Sequence, residues 1–130
     1  MKYLLDTHCF VWMAVAPQRL NATAQAALRD GGNELYLSAA SAWEVAIKQA
    51  IGKLTLPEPP EAWVLRQMRA LDLLALPIQP IHALRTAQLP SQHRDPFDRL
   101  LVSQALIEGL TLVTADEQLR AYPVPLLWAV

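Results

Sequence analysis

The chain has little cysteine, little glycine and almost no net charge, and each scarcity narrows what it can be. A single cysteine, Cys9, excludes an intramolecular disulfide and suits a reducing compartment such as the cytoplasm. Four glycines leave no P-loop and no G-x-G-x-x-G turn, so a glycine-rich phosphate cradle is excluded. A net charge of −1 supplies no global basic field. A polyanionic substrate would have to be held by local cations or by metal ions. The longest strongly apolar run, "FVWMAVA", is far too short to span a membrane. The start, "MKYLLDTHCF", lacks the apolar stretch and small-residue cleavage site of a signal peptide, so a cytoplasmic protein is expected. The three histidines, His8, His82 and His93, show no H-x-x-x-H or H-x-H spacing, and none stands near a triad-like serine. They read as structural or surface residues, with His93 the best placed to line a cleft. No repeats or low-complexity tracts occur.

What is present is a compact globular composition, 53% hydrophobic and 18% charged, over 130 residues. That length makes one domain, residues 1–130, with a real core. "KYLLD", "ELYLS", "LLALPI", "LTLVT" and "VPLLW" read as five short apolar strands. Between them lie helical patterns: "THCFVWMAVA", "NATAQAALRDGG", "ASAWEVAIKQAIGKL", "PPEAWVLRQMRALD", "IHALRTAQL", "PFDRLLVSQALIEG" and "ADEQLRAY". "PSQHRD" reads as a loop. Asp95 is placed as helix N-cap, Pro96 at the first helical position and Gly109 as terminator. Apolar strands alternating with helices predict an α/β fold: three α/β/α layers around a mainly parallel sheet of about five strands. Ligands of such sheets bind beyond the carboxyl ends of the strands.

Four acids stand near those ends. Asp6 closes the first strand, Asp116 follows the fourth, Glu44 lies one turn into the helix after the second, and Asp98 opens the helix before the fourth. Each has a plain alternative. Asp6 and Asp116 can cap helices, and Glu44 can pair with Lys48 four residues on. Asp98 can serve the helix dipole. Yet Asp98 falls between Leu101, Val102 and Ala105 on an apolar arc, with Arg99 and Ser103 on another face. A charge there is costly unless paired or bound to a metal. Four converging carboxylates without cysteine or clustered histidine suit Mg²⁺, or Mn²⁺ in its place, rather than zinc. Phosphodiester hydrolysis is the chemistry they imply. Trp12, Trp43, Trp63 and Trp128 read as core or partner-facing.

"YLLDTH", "SAASAWEVAIKQAIGKL", "HRDPFDRLLVSQAL" and "LTLVTADEQL" together resemble the PIN-domain ribonucleases, especially the VapC toxins of bacterial VapBC toxin–antitoxin systems. The likeness runs through nearly the whole chain in order. It implies a metal-dependent endoribonuclease with Asp6, Glu44, Asp98 and Asp116 as metal ligands and catalytic acids. Thr7 and Thr114 match supporting hydroxyl positions, and Asp95 stands as cap and supporting residue. It also implies a homodimer and a small antitoxin that blocks the acidic cleft. RNA contact is expected from Lys48, Arg94 and Arg99, each close in sequence to a proposed ligand; Lys48 and Arg99 could instead only offset neighbouring acids. A housekeeping PIN nuclease and a non-catalytic interaction domain are the alternatives. A receiver domain ranks low, because no acid follows "LLALPI".

Overall fold

The structure is a computed structural model that describes residues 1–90 and 95–130. Five strands, β1 (Lys2–Leu5), β2 (Glu34–Ser38), β3 (Leu73–Leu76), β4 (Thr111–Thr114) and β5 (Leu126–Trp128), form one sheet. Its order is β3-β2-β1-β4-β5, and every pairing is parallel. Helices α1 (Thr7–Val15), α2 (Ala22–Arg29), α3 (Ala39–Ala50), α4 (Pro60–Ala70), α5 (Pro80–Arg85) and α6 (Pro96–Glu108) connect them. The expected three-layer α/β/α architecture is what is found. "ADEQLRAY", expected as a short helix, forms the tighter 3-10 turn Glu117–Ala121. Four residues of the expected "PSQHRD" loop, 91–94, lie outside the described residues.

Strand pleating explains the two cores. Successive side chains of a strand point to opposite faces. Tyr3 and Leu5 of β1 therefore join Phe10 of α1, Ala24 and Leu28 of α2, and Trp63 and Val64 of α4. Leu4, between them, joins Leu101, Val102 and Ala105 of α6. A sheet buried on both faces has no polar side, which is why its strands read as unbroken apolar runs.

Local signals set the helix ends. Asn21 accepts from the Ala24 N–H at 2.7 Å to start α2, and Ser38 accepts from Ala40 N–H at 3.0 Å to start α3. Asp95 starts α6, accepting from the N–H groups of Phe97 at 2.9 Å and Asp98 at 3.4 Å. Gly109 ends it in the left-handed region at φ 70°, where a side chain would be strained.

Strand order fixes where a ligand can sit. From β1 the chain steps outward through β2 to β3, then returns to the other side of β1 for β4 and β5. The reversal lies between β1 and β4, and their carboxyl ends frame the crevice such sheets offer to ligands. Asp6 and Asp116 follow those two strands.

Candidate active site

Asp6 is buried, with 4% of its surface exposed. One carboxylate oxygen caps α1 by accepting from Cys9 N–H at 2.8 Å. The other accepts from the Thr114 hydroxyl at 2.5 Å. That Thr114 oxygen also accepts from the backbone N–H of Asp116 at 3.1 Å. One hydroxyl at the end of β4 thus ties both acids together. Asp116 in turn caps the following 3-10 turn through Gln118 N–H at 2.9 Å. Asp6 and Asp116 line a cleft of about 250 Å³ with His8, Trp12 and Ala115. Both acids therefore cap an element and also line the cleft. A capping carboxylate has lone pairs to spare, since two oxygens can accept about four bonds.

Glu44 is built in from the next helix. Thr7 donates to its Oε1 at 2.5 Å, and Ser41 Oγ lies 3.1 Å from the same threonine oxygen. Lys48 Nζ lies 3.1 Å from Oε2. The expected pair with Lys48 forms, but Glu44 is buried, at 8% exposure, rather than solvated. Thr7 donates to Glu44 and Thr114 to Asp6, one hydroxyl on each of two acids.

Asp98 occupies the first turn of α6, half-buried. A helix that leads into a parallel strand begins at the carboxyl edge of the sheet, so the chain direction places Asp98 on the side of the crevice. Phe97 beside it packs edge-on against Trp43, with ring centroids 5.2 Å apart, and Trp43 precedes Glu44. The starts of α3 and α6 therefore meet. Asp95 does the capping, which leaves Asp98 unneeded for it.

The structure departs from expectation in several places. Among the described residues no three His, Cys, Asp or Glu side chains stand close enough together to hold an ion as they are placed. Of the four acids, Asp6 and Asp116 share a cleft, while Thr7 and Lys48 hold Glu44. Ser103, on another face of α6 than the apolar arc, is buried and donates to the His82 carbonyl at 2.7 Å. The cause is α5, which covers the side of α6 away from the sheet. Arg99 donates to the carbonyls of Thr86 at 2.7 Å and Pro90 at 2.6 Å, and to the Tyr122 hydroxyl at 3.2 Å. It fastens the 86–90 segment to α6, a structural role not foreseen for a residue expected at RNA. His93 and Arg94 lie outside the described residues.

His8 and Trp12 were missed as cleft residues. Their signal was position: His8 comes two residues after Asp6, and Trp12 follows it by one helical turn on the same face. Their rings lie 6.1 Å apart. His82 is fully buried instead. Its Nδ1 accepts from Gln79 N–H at 2.9 Å, so Nε2 carries the proton and faces Glu108 at 2.8 Å. Cys9 lies under Asp6; burial foremost, with the Asp6 charge and hydrogen bond added, pushes its thiol well up and keeps it inert.

A parallel α/β/α domain with acids tied together at its topological switch point is the class this geometry defines. Within that class, the PIN domain model matches residues 3–125, and the chain belongs to the PIN-domain family. It is 34% identical over 123 residues to ribonuclease VapC22 of Mycobacterium tuberculosis, covering 94% of this chain and 92% of that one. Its fold is similar to a chain of VapBC2 from Rickettsia felis bound to a promoter DNA fragment. That match has a TM-score of 0.75 and 17% identity, and it covers all of both chains. DNA-bound VapBC from Salmonella typhimurium gives a TM-score of 0.72 at 18% identity, covering 98% of this chain and 97% of that one.

Proposed function

We propose that this protein is a divalent-metal-dependent endoribonuclease, the toxin of a toxin–antitoxin pair, that hydrolyses RNA to leave 5′-phosphate and 3′-hydroxyl ends. The observation that carries the reading is the cleft between β1 and β4, where Asp6 and Asp116 are joined through Thr114 in a PIN-family chain. The likeness to a named ribonuclease along nearly the whole chain supports the substrate. The likeness to chains of VapBC complexes supports a small antitoxin as partner. A homodimer in the cytoplasm completes the proposal.

The donor set fits Mg²⁺ or Mn²⁺. Asp6 is buried yet pairs with no Lys, Arg or His among the described residues. A buried carboxylate with only neutral donors is costly, and a cation in the adjoining cleft would offset that cost. Asp6 and Asp116 offer oxygens there, which hard cations prefer, with the His8 imidazole also on the cleft wall. Asp6 and Asp116 would hold the ion, with Glu44 and Asp98 as the further ligands of the proposal. Bound there, the ion supplies positive charge to phosphate oxygens and acidifies a water. The chain's own residues do the positioning. Thr114 and the Cys9 N–H fix both oxygens of Asp6, Thr7 fixes Glu44, and Lys48 stands ready for a neighbouring phosphate. Asp95 supports the site by capping α6 so that Asp98 is presented at the crevice.

Purified protein, stripped of any partner, is expected to cut end-labelled RNA with Mg²⁺ or Mn²⁺ and to stop in EDTA. Asp6→Asn should abolish cleavage. Cutting that persists in EDTA, or products with 2′,3′-cyclic phosphate ends, would refute the mechanism.

A further inference from the structure

A second groove, of about 420 Å³, runs beside the acid cleft and shares His8 and Trp12 with it. Its walls come from α1 and from the end of α3 with the turn beyond. The floor is apolar, with Trp12 and Leu54, and the lining includes Arg19, Lys48 and Lys53 but no carboxylate. Arg19 lies over the Trp12 ring, 4.5 Å from its centroid. Among the described residues neither Arg19 nor Lys53 forms an ion pair. Lys48 is already paired with Glu44, which leaves Arg19 and Lys53 as the two groove cations without a carboxylate partner among the described residues.

The two hollows complement different parts of one ligand. A single RNA strand presents a phosphate at each step and a flat base between, and proteins hold such strands by lining a cationic groove with aromatic surface. With the reacting phosphate at Asp6 and Asp116, a strand that continues past His8 and Trp12 enters the second groove. On that path it meets cations for its next phosphates and an apolar floor for a base. We propose that this groove is the subsite for the RNA strand flanking the scissile phosphate, with Arg19 and Lys53 on phosphates and one base against Trp12 and Leu54. The assignment rests on the ribonuclease reading. The charge favours a polyanion over a protein segment, which would need only the apolar floor.

The test uses Arg19→Gln/Lys53→Gln, at two exposed positions outside the core. The control is Arg29→Gln/Arg69→Gln, with the same charge change at exposed positions outside the groove. Binding of a short, labelled, mixed-sequence RNA is followed by anisotropy across a salt series, and metal-dependent cleavage is measured alongside. The groove variant should bind on the order of tenfold more weakly. Its log–log salt slope should flatten by about 1.4, or about 0.7 per cation removed. The rate at saturating RNA should hold. The control should match wild type. Unchanged affinity and slope in the groove variant, with cleavage intact, would overturn the assignment alone and leave the groove to a protein partner. Equal losses in variant and control would overturn it too. A wild type that neither binds nor cuts RNA would instead overturn the ribonuclease reading beneath it.

Discussion

Thr114→Val removes one oxygen and keeps the β-branched shape that suits β4. Thr114 is fully buried, and its hydroxyl both donates to Asp6 and accepts from Asp116 N–H. Losing a hydrogen bond to a charged group costs about 1.5–3 kcal/mol. The Asp116 amide, only part-buried, adds about 0.5–1.5 kcal/mol. Burying a methyl in place of the hydroxyl returns roughly 1 kcal/mol. The net loss is about 2 kcal/mol, which for a domain of this size lowers the melting temperature by about 7 °C. Thr111→Val, on the same strand with no side-chain hydrogen bond among the described residues, should stay within about 0.5 kcal/mol. Thermal melts of both variants decide the stability part. The same proteins in an RNA cleavage assay decide the rest. Without its donor, Asp6 loses orientation, so Thr114→Val should cut poorly while Thr114→Ser keeps most of the activity. A Thr114→Val protein that melts and cuts like wild type would show that the hydroxyl positions neither acid.

Two further outcomes separate cap from ligand and staple from RNA contact. Asp95→Ala should cost about 1 kcal/mol and keep the stabilisation by Mg²⁺, because Asp95 does the capping. Asp98→Asn should melt within about 1 kcal/mol of wild type in EDTA. In metal the wild type should gain about 2.7 kcal/mol at a hundredfold excess over the dissociation constant, and the variant much less. Equal metal gains in both would remove Asp98 from the ligand set. Arg99→Lys, which cannot reach two carbonyls and a hydroxyl from one planar fork, should melt several degrees lower and leave the RNA salt slope unchanged. A flattened slope with an unchanged melt would return Arg99 to the RNA surface.

The fold was largely legible in the sequence because its signals are local. Asn21, Ser38, Asp95 and Gly109 mark helix ends by chemistry that acts within a few residues. Apolar runs such as "YLL" and "TLVT" declare strands covered on both faces. The place of Asp6 and Asp116 at the crevice was legible for the same reason, since each follows a strand. What could not be read depends on partners far along the chain. Arg99 finds its carbonyls only once the 86–90 segment folds back over α6. The burial of Ser103 could not be read because nothing in its own helix announces that α5 will cover it. Taken alone, Glu44 looked like half of a pair with Lys48, because the bond from Thr7 joins residues 37 positions apart. The groove under Arg19 belongs to the same kind, being made of α1 and α3 with α2 and β2 between them in the chain.

The bond between Asp6 and Thr114 spans 108 positions, and that separation has a meaning for how the protein is made. A ribosome adding about 5–20 residues per second needs roughly 5–20 s to deliver the second partner after the first. Throughout that interval β1 has β2 available on one side, but the edge that β4 will take remains bare. The nascent chain holds Asp6 early and cannot place it. The last part of the cleft to emerge is the stretch from Thr114 to Asp116, so the crevice is closed by the final tenth or so of synthesis rather than gradually. Any fragment that stops before β4 carries three of the four acids without the Thr114 link, and it exposes an open strand edge that invites aggregation.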